Sequence, residues 1–194
     1  MMRRTLVVLT AGLTLLAGMS SAGPAFADDA PVTSRKELLA KAQPGSRSPG
    51  NANSVEAAGV SCLDINLRSR VTGKLVSVRL NNNNRLYATS EERGSWEKLW
   101  WCTDNAGNDS FWSAAAGRFV SNRLNNGNLM QAYSSSYNSW ENFTMRGADN
   151  GLYWCISSRA SSTYASTRDD EGDVLRANRS ACNSWEQYSL HYAP

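Results

Sequence analysis

The heptapeptide SWEKLWW at residues 95–101 recurs as SWENFTM at residues 139–145 and as SWEQYSL at residues 184–190. The first tryptophans of the three copies are separated by 44 and then 45 residues. A fixed period of this size indicates repeated supersecondary structure. The chain therefore contains three copies of one structural unit.

The upstream part of each copy follows the same spacing. The matching segments are GKLVS at residues 73–77, GRFVS at 117–121 and STYAS at 162–166. Short apolar or alternating stretches separated by Asn, Gly, Asp and Ser fill the units, which indicates an all-β domain. No copy has a long 3.6-residue period, so a helical solenoid is not expected. Three units of about four strands predict a β-trefoil with pseudo-three-fold symmetry, because propellers typically have four or more blades.

Residues 1–27 have the composition of a secretory signal peptide. Arg3 and Arg4 precede an apolar stretch at residues 6–17, and Ala25-Phe26-Ala27 offers small residues for cleavage. This order is typical of exported proteins, and the apolar stretch is shorter than the roughly 20 residues that span a bilayer. We expect a secreted, extracellular protein with no membrane attachment after cleavage.

Residues 28–58 differ in composition from the repeats. Ser34 followed by Glu37 predicts an N-capped short helix that ends near residue 42. Residues 43–56 are rich in Pro, Gly, Ser, Asn and Ala, which is typical of linkers. We expect a flexible arm over residues 28–58 and a trefoil over residues 59–194, with repeats at about 61–106, 107–150 and 151–194.

The charge of the chain does not favour nucleic acid as a ligand. The chain has 20 Lys and Arg against 17 Asp and Glu, and removal of Arg3 and Arg4 lowers the net charge from +3 to +1. No basic run is interleaved with aromatic residues, as in surfaces that follow a phosphate backbone. We expect no nucleic-acid partner and, for a single domain of this length, a monomer.

Four cysteines in an exported protein predict two disulfides. Three pairings are possible, and the sequence alone does not choose between them. The repeats favour Cys62–Cys102 and Cys155–Cys182, because each pair then lies within one copy.

The repeat resembles that of a known family. Its pattern is G-[KR]-[LFY]-V-S, a turn, L-x-A, and S-W-E-x-[FLY]-x-[ML], and the third copy from Val174 to Glu186 is especially similar. This pattern resembles the fascin-like, or actin-crosslinking-type, β-trefoils in their bacterial secreted branch, over about Ser61 to the C-terminus. The resemblance implies the trefoil fold. The Gln-x-Trp triplets of ricin-type trefoils are absent from the sequence, so sugar sites of that type are not expected.

The Trp-Glu pair of each copy is the candidate ligand-binding site. In a regular strand the side chains alternate, which places Glu97, Leu99 and Trp101 on the core face and Trp96 on the outer face. An exposed indole can stack on the apolar face of a sugar ring, and a carboxylate accepts strong hydrogen bonds from hydroxyls. We predict three shallow glycan sites that act by avidity on a polysaccharide. They are Trp96 with Glu97, Trp140 with Glu141, and Trp185 with Glu186.

A structural role for the same residues is the alternative. A bulge at the glutamate would turn the tryptophan into the barrel floor. The glutamate would then cap a turn or pair with the arginine that recurs in each copy, which is Arg79, Arg123 or Arg168. Repetition does not separate these interpretations, because a core position recurs as faithfully as a binding site.

The sequence favours a binding protein over an enzyme. His191, the single histidine, is interpreted as a surface or rim residue, and acidic residues 169–173 as a solvated turn. No G-x-S-x-G motif and no cluster of His with carboxylates occurs in the sequence. We expect a secreted, non-catalytic, lectin-like module that binds polysaccharide without a cofactor. The alternative is a protein-binding trefoil, such as a protease inhibitor or a secreted interaction protein.

Overall fold

The computed structural model describes residues 30–42, 60–104 and 106–192, which contain one short helix and twelve strands. The predicted signal peptide and the predicted linker at residues 43–56 lie outside these residues. The helix is α1 (Arg35–Lys41). The strands are β1 (Ser61–Ser69), β2 (Leu75–Arg79), β3 (Arg85–Ser90), β4 (Leu99–Thr103), β5 (Asp109–Ser113), β6 (Arg118–Arg123), β7 (Leu129–Ser134), β8 (Phe143–Ala148), β9 (Tyr153–Ser158), β10 (Thr163–Arg168), β11 (Val174–Arg179) and β12 (Gln187–Tyr192).

Six of the strands close into a barrel. Strands β1, β4, β5, β8, β9 and β12 pair with one another in that order, and β12 pairs with β1 to complete the ring. Every pairing is antiparallel. Closure leaves the barrel strands without a free edge, which removes the hydrogen-bonding groups that promote aggregation.

The other six strands form three hairpins over one end of the barrel. They are β2–β3, β6–β7 and β10–β11, and β3, β7 and β11 also pair with each other. Each repeat thus supplies two barrel strands and one hairpin. This arrangement is the β-trefoil that the three-fold repeat predicts.

The core is built from positions that recur in the three repeats. Leu86, Met130 and Leu175 are each at most 2% exposed, and their neighbours two residues on in each hairpin are all alanines with no exposure. The positions after the Trp-Glu pair are buried as predicted. They are Leu99 and Trp101, Phe143 and Met145, and Tyr188 and Leu190.

Each hairpin turn contains residues in the left-handed region of the backbone. Asn83 and Asn84 have φ values of 51° and 54°, Gly127 and Asn128 have 60° and 57°, and the third copy has Gly172 and Asp173 at 69° and 63°. Glycine, asparagine and aspartate tolerate this region better than other residues. The acidic stretch of the third copy is one of these turns, as the alignment with the Asn-rich copies predicts.

The two disulfides join the cysteines that the repeats favour. Cys62 bonds to Cys102 and Cys155 bonds to Cys182, so each bridge closes a loop within one repeat. With sequence separations of 40 and 27 residues, each loop restricts the unfolded chain enough to stabilise the fold by about 4 kcal/mol in the chain-entropy model.

Residues 30–42, hereafter the N-terminal segment, correct the expectation of a flexible arm. The predicted helix is present, and Ser34 Oγ accepts a hydrogen bond from the Glu37 backbone N–H at 3.2 Å. Three of its apolar side chains lie in the core, with Val32 and Leu38 fully buried and Ala42 5% exposed. The segment is ordered because the barrel provides contacts that are remote in sequence, which composition does not reveal.

One backbone and one side-chain hydrogen bond fix the N-terminal segment against two barrel strands. The Val32 N–H donates to the Leu190 carbonyl at 2.7 Å, and the Trp154 indole N–H donates to the Val32 carbonyl at 2.8 Å. The hairpins follow the ends of β1, β5 and β9, whereas these contacts lie at the start of β9 and near the end of β12. The segment therefore closes the barrel end opposite the hairpins.

A buried ion pair completes this closure. Asp109 has no exposed surface, and its carboxylate accepts two hydrogen bonds from Arg35 at 3.0 and 3.1 Å. The indole N–H of Trp101 and the backbone N–H of Met145 also donate to it, at 3.0 and 2.7 Å. A buried carboxylate needs such compensation, and Arg35 supplies the opposite charge from the N-terminal segment.

No helix within residues 30–42, 60–104 and 106–192 is long and apolar enough to span a membrane.

Candidate functional site

The Trp-Glu pair of each repeat lies in a turn and not in the regular strand that the sequence analysis assumed. We call these segments the Trp-Glu turns; they are residues 95–97, 139–141 and 184–186. Ser139–Glu141 and Ser184–Glu186 are single turns of 3-10 helix, and residues 95–97 also form a turn. The following strand begins only after each turn. Alternation therefore holds for the two apolar positions after each turn but not for the Trp-Glu pair.

Hydrogen bonds within the turn explain this geometry. The Glu141 carboxylate accepts from the Asn138 backbone N–H at 3.0 Å, and Glu186 accepts from the equivalent Asn183 N–H at 2.9 Å. Both turns also contain the reciprocal asparagine side-chain bond of a capping box. The glutamate thus satisfies a backbone donor that the strand ladder leaves unpaired.

The prediction that the glutamates contact a ligand is corrected by their burial. Glu97, Glu141 and Glu186 are 6%, 3% and 2% exposed. Glu141 accepts a further hydrogen bond at 2.5 Å from Ser121 Oγ. The Glu141 and Glu186 carboxylates cap their turns, as the structural alternative proposed.

The tryptophans of the turns are not core residues. Trp96 and Trp140 are half-buried and Trp185 is 38% exposed. The alternative in which all three indoles fill the barrel floor is therefore wrong. The barrel interior instead contains Trp101 and Trp154, which are at most 2% exposed. Each repeat presents a partly exposed indole at this aligned position, and Trp100 and Trp112 are partly exposed as well.

The second repeat surrounds its indole with two further residues. The Arg123 guanidinium carbon lies 5.5 Å from the centre of the Trp140 ring and 3.4 Å from the centre of the Tyr133 ring. Tyr133 is 54% exposed. Cation–π contact of this kind holds a guanidinium against aromatic faces. Arg123, Tyr133 and Trp140, hereafter the repeat-two cluster, form an aromatic surface with a cation at its centre.

The equivalent arginines of the other repeats have different partners. Arg79 donates to Thr89 Oγ1 at 2.6 Å, and Arg168 forms an ion pair with Asp170 at 2.5 Å. By the 44- and 45-residue offsets, Thr89 and Asn178 occupy the position of Tyr133. The three repeats therefore share the indole but present different polar groups beside it.

Two pKa shifts in the second repeat have clear physical causes. Burial raises the pKa of Glu141, while hydrogen bonds from Ser121 and Asn138 oppose that effect. A hydrogen bond from Arg123 lowers the pKa of the Tyr133 hydroxyl. Arg123 therefore has an electrostatic as well as a packing contact with the exposed ring.

His191 is buried, in contrast to the surface or rim position predicted for it. It is 7% exposed, and its Nε2 lies 3.0 Å from Ser189 Oγ. The outer side of β12 is covered, so alternation along this strand does not indicate exposure. Within the described part of the chain, no group of three or more His, Cys, Asp or Glu residues is placed to hold a metal ion.

Tyr133 is the site residue that sequence reasoning missed. Arg123 was considered only as a partner for glutamate, and Tyr133 was not considered. The available signal was a departure from the repeat, because Tyr133 stands at the aligned position where the other two repeats have Thr89 and Asn178. Positions that differ between otherwise matching repeats distinguish their surfaces.

No protein-family model and no curated protein matches the chain. Solved structures do match it. The designed three-fold symmetric protein ThreeFoil is similar over 67% of this chain and 99% of its own, with a TM-score of 0.59 and 14% sequence identity. The BEL β-trefoil in an apo crystal form is similar over 68% of this chain and 93% of its own, with a TM-score of 0.58 and 13% identity.

A glycan-directed enzyme contains a similar structure. The GlcNAcα1-4Gal releasing endo-β-galactosidase from Clostridium perfringens matches 68% of this chain with a TM-score of 0.58 and 16% identity. The match covers 32% of that enzyme, so this chain spans about one third of its length. At these identities the likeness concerns the fold. The closed barrel, its three hairpins and these neighbours together identify residues 61–192 as a β-trefoil domain.

Proposed function

We propose that this protein is a non-catalytic carbohydrate-binding module whose contact surface is formed by the indoles of the Trp-Glu turns, with the repeat-two cluster as the strongest of three sites. The carrying observation is that an indole is partly exposed at the same place in all three repeats. The buried glutamates fix the turns that present these indoles, and they do not contact the ligand.

The chemistry of the repeat-two cluster suits a sugar ring. An aromatic face is apolar and rigid, so it can cover the C–H face of a pyranose at little entropic cost. The Arg123 guanidinium contacts both the Tyr133 and the Trp140 rings, and the exposed Tyr133 side chain ends in a hydroxyl that can exchange hydrogen bonds with sugar hydroxyls. Stacking combined with a few directed hydrogen bonds is the expected mode of a shallow site.

Three such sites favour a polymer over a small sugar. Each site is open, and single contacts of this kind are weak. Binding at one repeat raises the effective concentration of the polymer at the next, so affinity increases without a deep pocket. We therefore propose a polysaccharide as the ligand.

We further propose that the module acts outside the cell and is related to the fascin-like trefoils. The two disulfides support an oxidising compartment, and the repeat motif supports the relationship. The fold neighbour named as a GlcNAcα1-4Gal releasing endo-β-galactosidase supports a role near glycans.

Depletion from solution by insoluble polysaccharide tests the proposal. The purified chain, with its disulfides oxidised, is mixed with curdlan (an insoluble β-1,3-glucan) or chitin, and the unbound fraction is measured over a range of concentrations. Trp140→Ala should weaken binding about tenfold, because aromatic stacking on this scale contributes about 1.4 kcal/mol. Trp96→Ala and Trp185→Ala should have smaller effects.

Leu152→Ala is the matched control, since Leu152 is 52% exposed and lies outside the repeat-two cluster. It should bind like the unmodified chain. Tyr133→Ala gives a second probe, because this exposed ring can be removed with little effect on folding. Unchanged binding in all three Trp variants, or no binding to any glycan on an array, would refute the proposal and favour the protein-binding alternative.

A further inference from the structure

An open cleft of the described domain lies between the first and second repeats. It has a volume of about 680 Å³, which is within the range of small-ligand sites. Its lining combines the turn and first residue of β3 with residues of the β6–β7 hairpin. The lining includes Asn83, Asn84 and Arg85 on one side and Arg118, Gln131 and Tyr133 on the other.

The walls of this inter-repeat cleft are joined by hydrogen bonds. Arg85 of β3 is in register with Gln131 of β7, and the Gln131 side chain donates to the Asn83 carbonyl. The Ala132 backbone N–H donates to the Asn84 carbonyl at 2.9 Å. The cleft is thus formed before any ligand binds, which lowers the entropic cost of binding.

The lining of the cleft has positive charge without a compensating carboxylate. It includes Arg85 and Arg118 but no Asp or Glu. The buried Nε of Arg85 has no hydrogen-bond partner among the described residues. Within the same residues, neither arginine takes part in an ion pair. An anion in the cleft would supply the opposite charge that the lining lacks.

The equivalent positions of the other repeats carry either no charge or a paired one. The uncharged ones are Leu129 and Val174, which align with Arg85, and Thr163, which aligns with Arg118. Lys74, which aligns with Arg118, forms an ion pair with Glu91. At the junction of the second and third repeats, Arg176 donates to the Gly127 carbonyl at 2.9 Å and pairs with Glu171 at 2.7 Å. The uncompensated charge is therefore specific to the inter-repeat cleft and not a general consequence of the fold.

Tyr133 connects the cleft to the proposed glycan surface. Its ring lines the cleft and also contacts Arg123, which in turn contacts Trp140. A glycan that stacks on Trp140 and passes over Tyr133 would bring a neighbouring sugar to the cleft. We propose that the inter-repeat cleft is a subsite for an acidic sugar, whose carboxylate or sulfate is bound by Arg118 and Arg85 beside Tyr133. This inference rests on the proposed function and adds the class of glycan.

The test compares one polymer with its carboxylates free and blocked. Binding of the full chain to polygalacturonate and to its methyl ester is measured by affinity electrophoresis in 50 mM salt, where charge-assisted contacts are weakly screened (a Debye length of about 14 Å). The free acid should bind about tenfold more tightly than the ester, as expected for two arginine–carboxylate contacts in a partly exposed site. Dextran sulfate and dextran form the parallel pair for a sulfate ligand.

Arg118→Gln should remove most of this preference while leaving binding to curdlan unchanged. Arg146→Gln is the matched control, because Arg146 is also exposed but belongs to β8 and does not line the cleft. It should keep the preference to within about twofold. Tyr133→Ala should weaken both the acidic and the neutral polymer, because the ring belongs to both surfaces.

The outcomes separate the two proposals. Equal binding to free acid and ester, with curdlan binding intact, would overturn the acidic subsite alone. Equal effects of Arg118→Gln and Arg146→Gln would show a diffuse charge effect and also overturn it. Binding of a single-stranded DNA 20-mer with the same dependence on Arg118 would assign the cleft to phosphate instead of sugar. No binding to any neutral or acidic glycan would reject the proposed function itself.

Discussion

Removal of one buried side chain in the N-terminal segment tests whether that segment is part of the folded domain. Leu38 is fully buried in the hydrophobic core, whereas its neighbour Leu39 is 46% exposed. Burial of a leucine stabilises by about 1.5–3 kcal/mol, and the cavity left by truncation adds to the loss. We expect Leu38→Ala to lower the free energy of unfolding by about 3 kcal/mol and Leu39→Ala to change it by less than about 0.5 kcal/mol.

The loss of stability in Leu38→Ala cannot exceed the free energy with which the N-terminal segment docks on the barrel. A helix of seven residues is not stable alone in water, so a weakened segment would detach as a unit. The cost would then equal its whole docking free energy. Detachment would also break the hydrogen bond from the Trp154 indole to the Val32 carbonyl and expose that indole proton to exchange.

Equilibrium unfolding in urea, followed by tryptophan fluorescence and far-UV circular dichroism, measures the stability of both variants. Exchange of the Trp154 indole proton, followed by NMR, reports on detachment. Equal stabilities for Leu38→Ala and Leu39→Ala, with unprotected Trp154 in the unmodified chain, would refute the reasoning. The segment would then not contribute to the fold, and the barrel end would be open.

Two further predictions concern single residues of the repeats. Because burial raises the folded-state pKa of Glu141 above its ordinary 4.5, folding takes up a proton there, and stability falls as pH rises from 4.5 through the folded pKa. When urea unfolding is compared at pH 4 and pH 7, the loss of stability should be smaller in Glu141→Gln than in the unmodified chain. The same loss of stability in both proteins would contradict this prediction. Gly117 and Ser162 occupy the same turn position, with φ values of 60° and 56°. Gly117→Ala should lower the free energy of unfolding by about 1 kcal/mol, while Ser162→Gly should raise it by about 0.5 kcal/mol. Thermal or urea unfolding measures both changes. If the two substitutions changed stability in the same direction, backbone strain at this position would not be the cause.

Much of the fold could be predicted because the three repeats can be compared with one another. Each core position appears three times, so Leu86, Met130 and Leu175 support one another as buried residues. The same register placed the cysteines within single repeats and led to the correct disulfides. Such inferences depend on comparison within the chain and do not require knowledge of distant contacts.

The candidate site was predicted only in part, and one local signal was overlooked. Asparagine stands three residues before Glu141 and Glu186, which is the spacing of a capping box. That pattern indicates a turn rather than a strand and assigns the glutamate to a backbone donor. Sequence left open whether the indoles lie in the core or at the surface, because strand alternation, which favours the surface, does not apply within a turn.

The sequence by itself determined the number of repeats, the closure into a trefoil and the core positions, since these follow from a period that is visible in the sequence. The same period favoured one of the three possible cysteine pairings, and the structure decided between them. Only the tertiary structure decided that Val32 lies against Trp154, 122 residues away, and that Arg85 and Arg118 line one cleft with Tyr133. These contacts depend on how hairpins and a terminal segment pack in space. A side chain's exposure and charge environment are set by such neighbours, and local sequence holds no record of them.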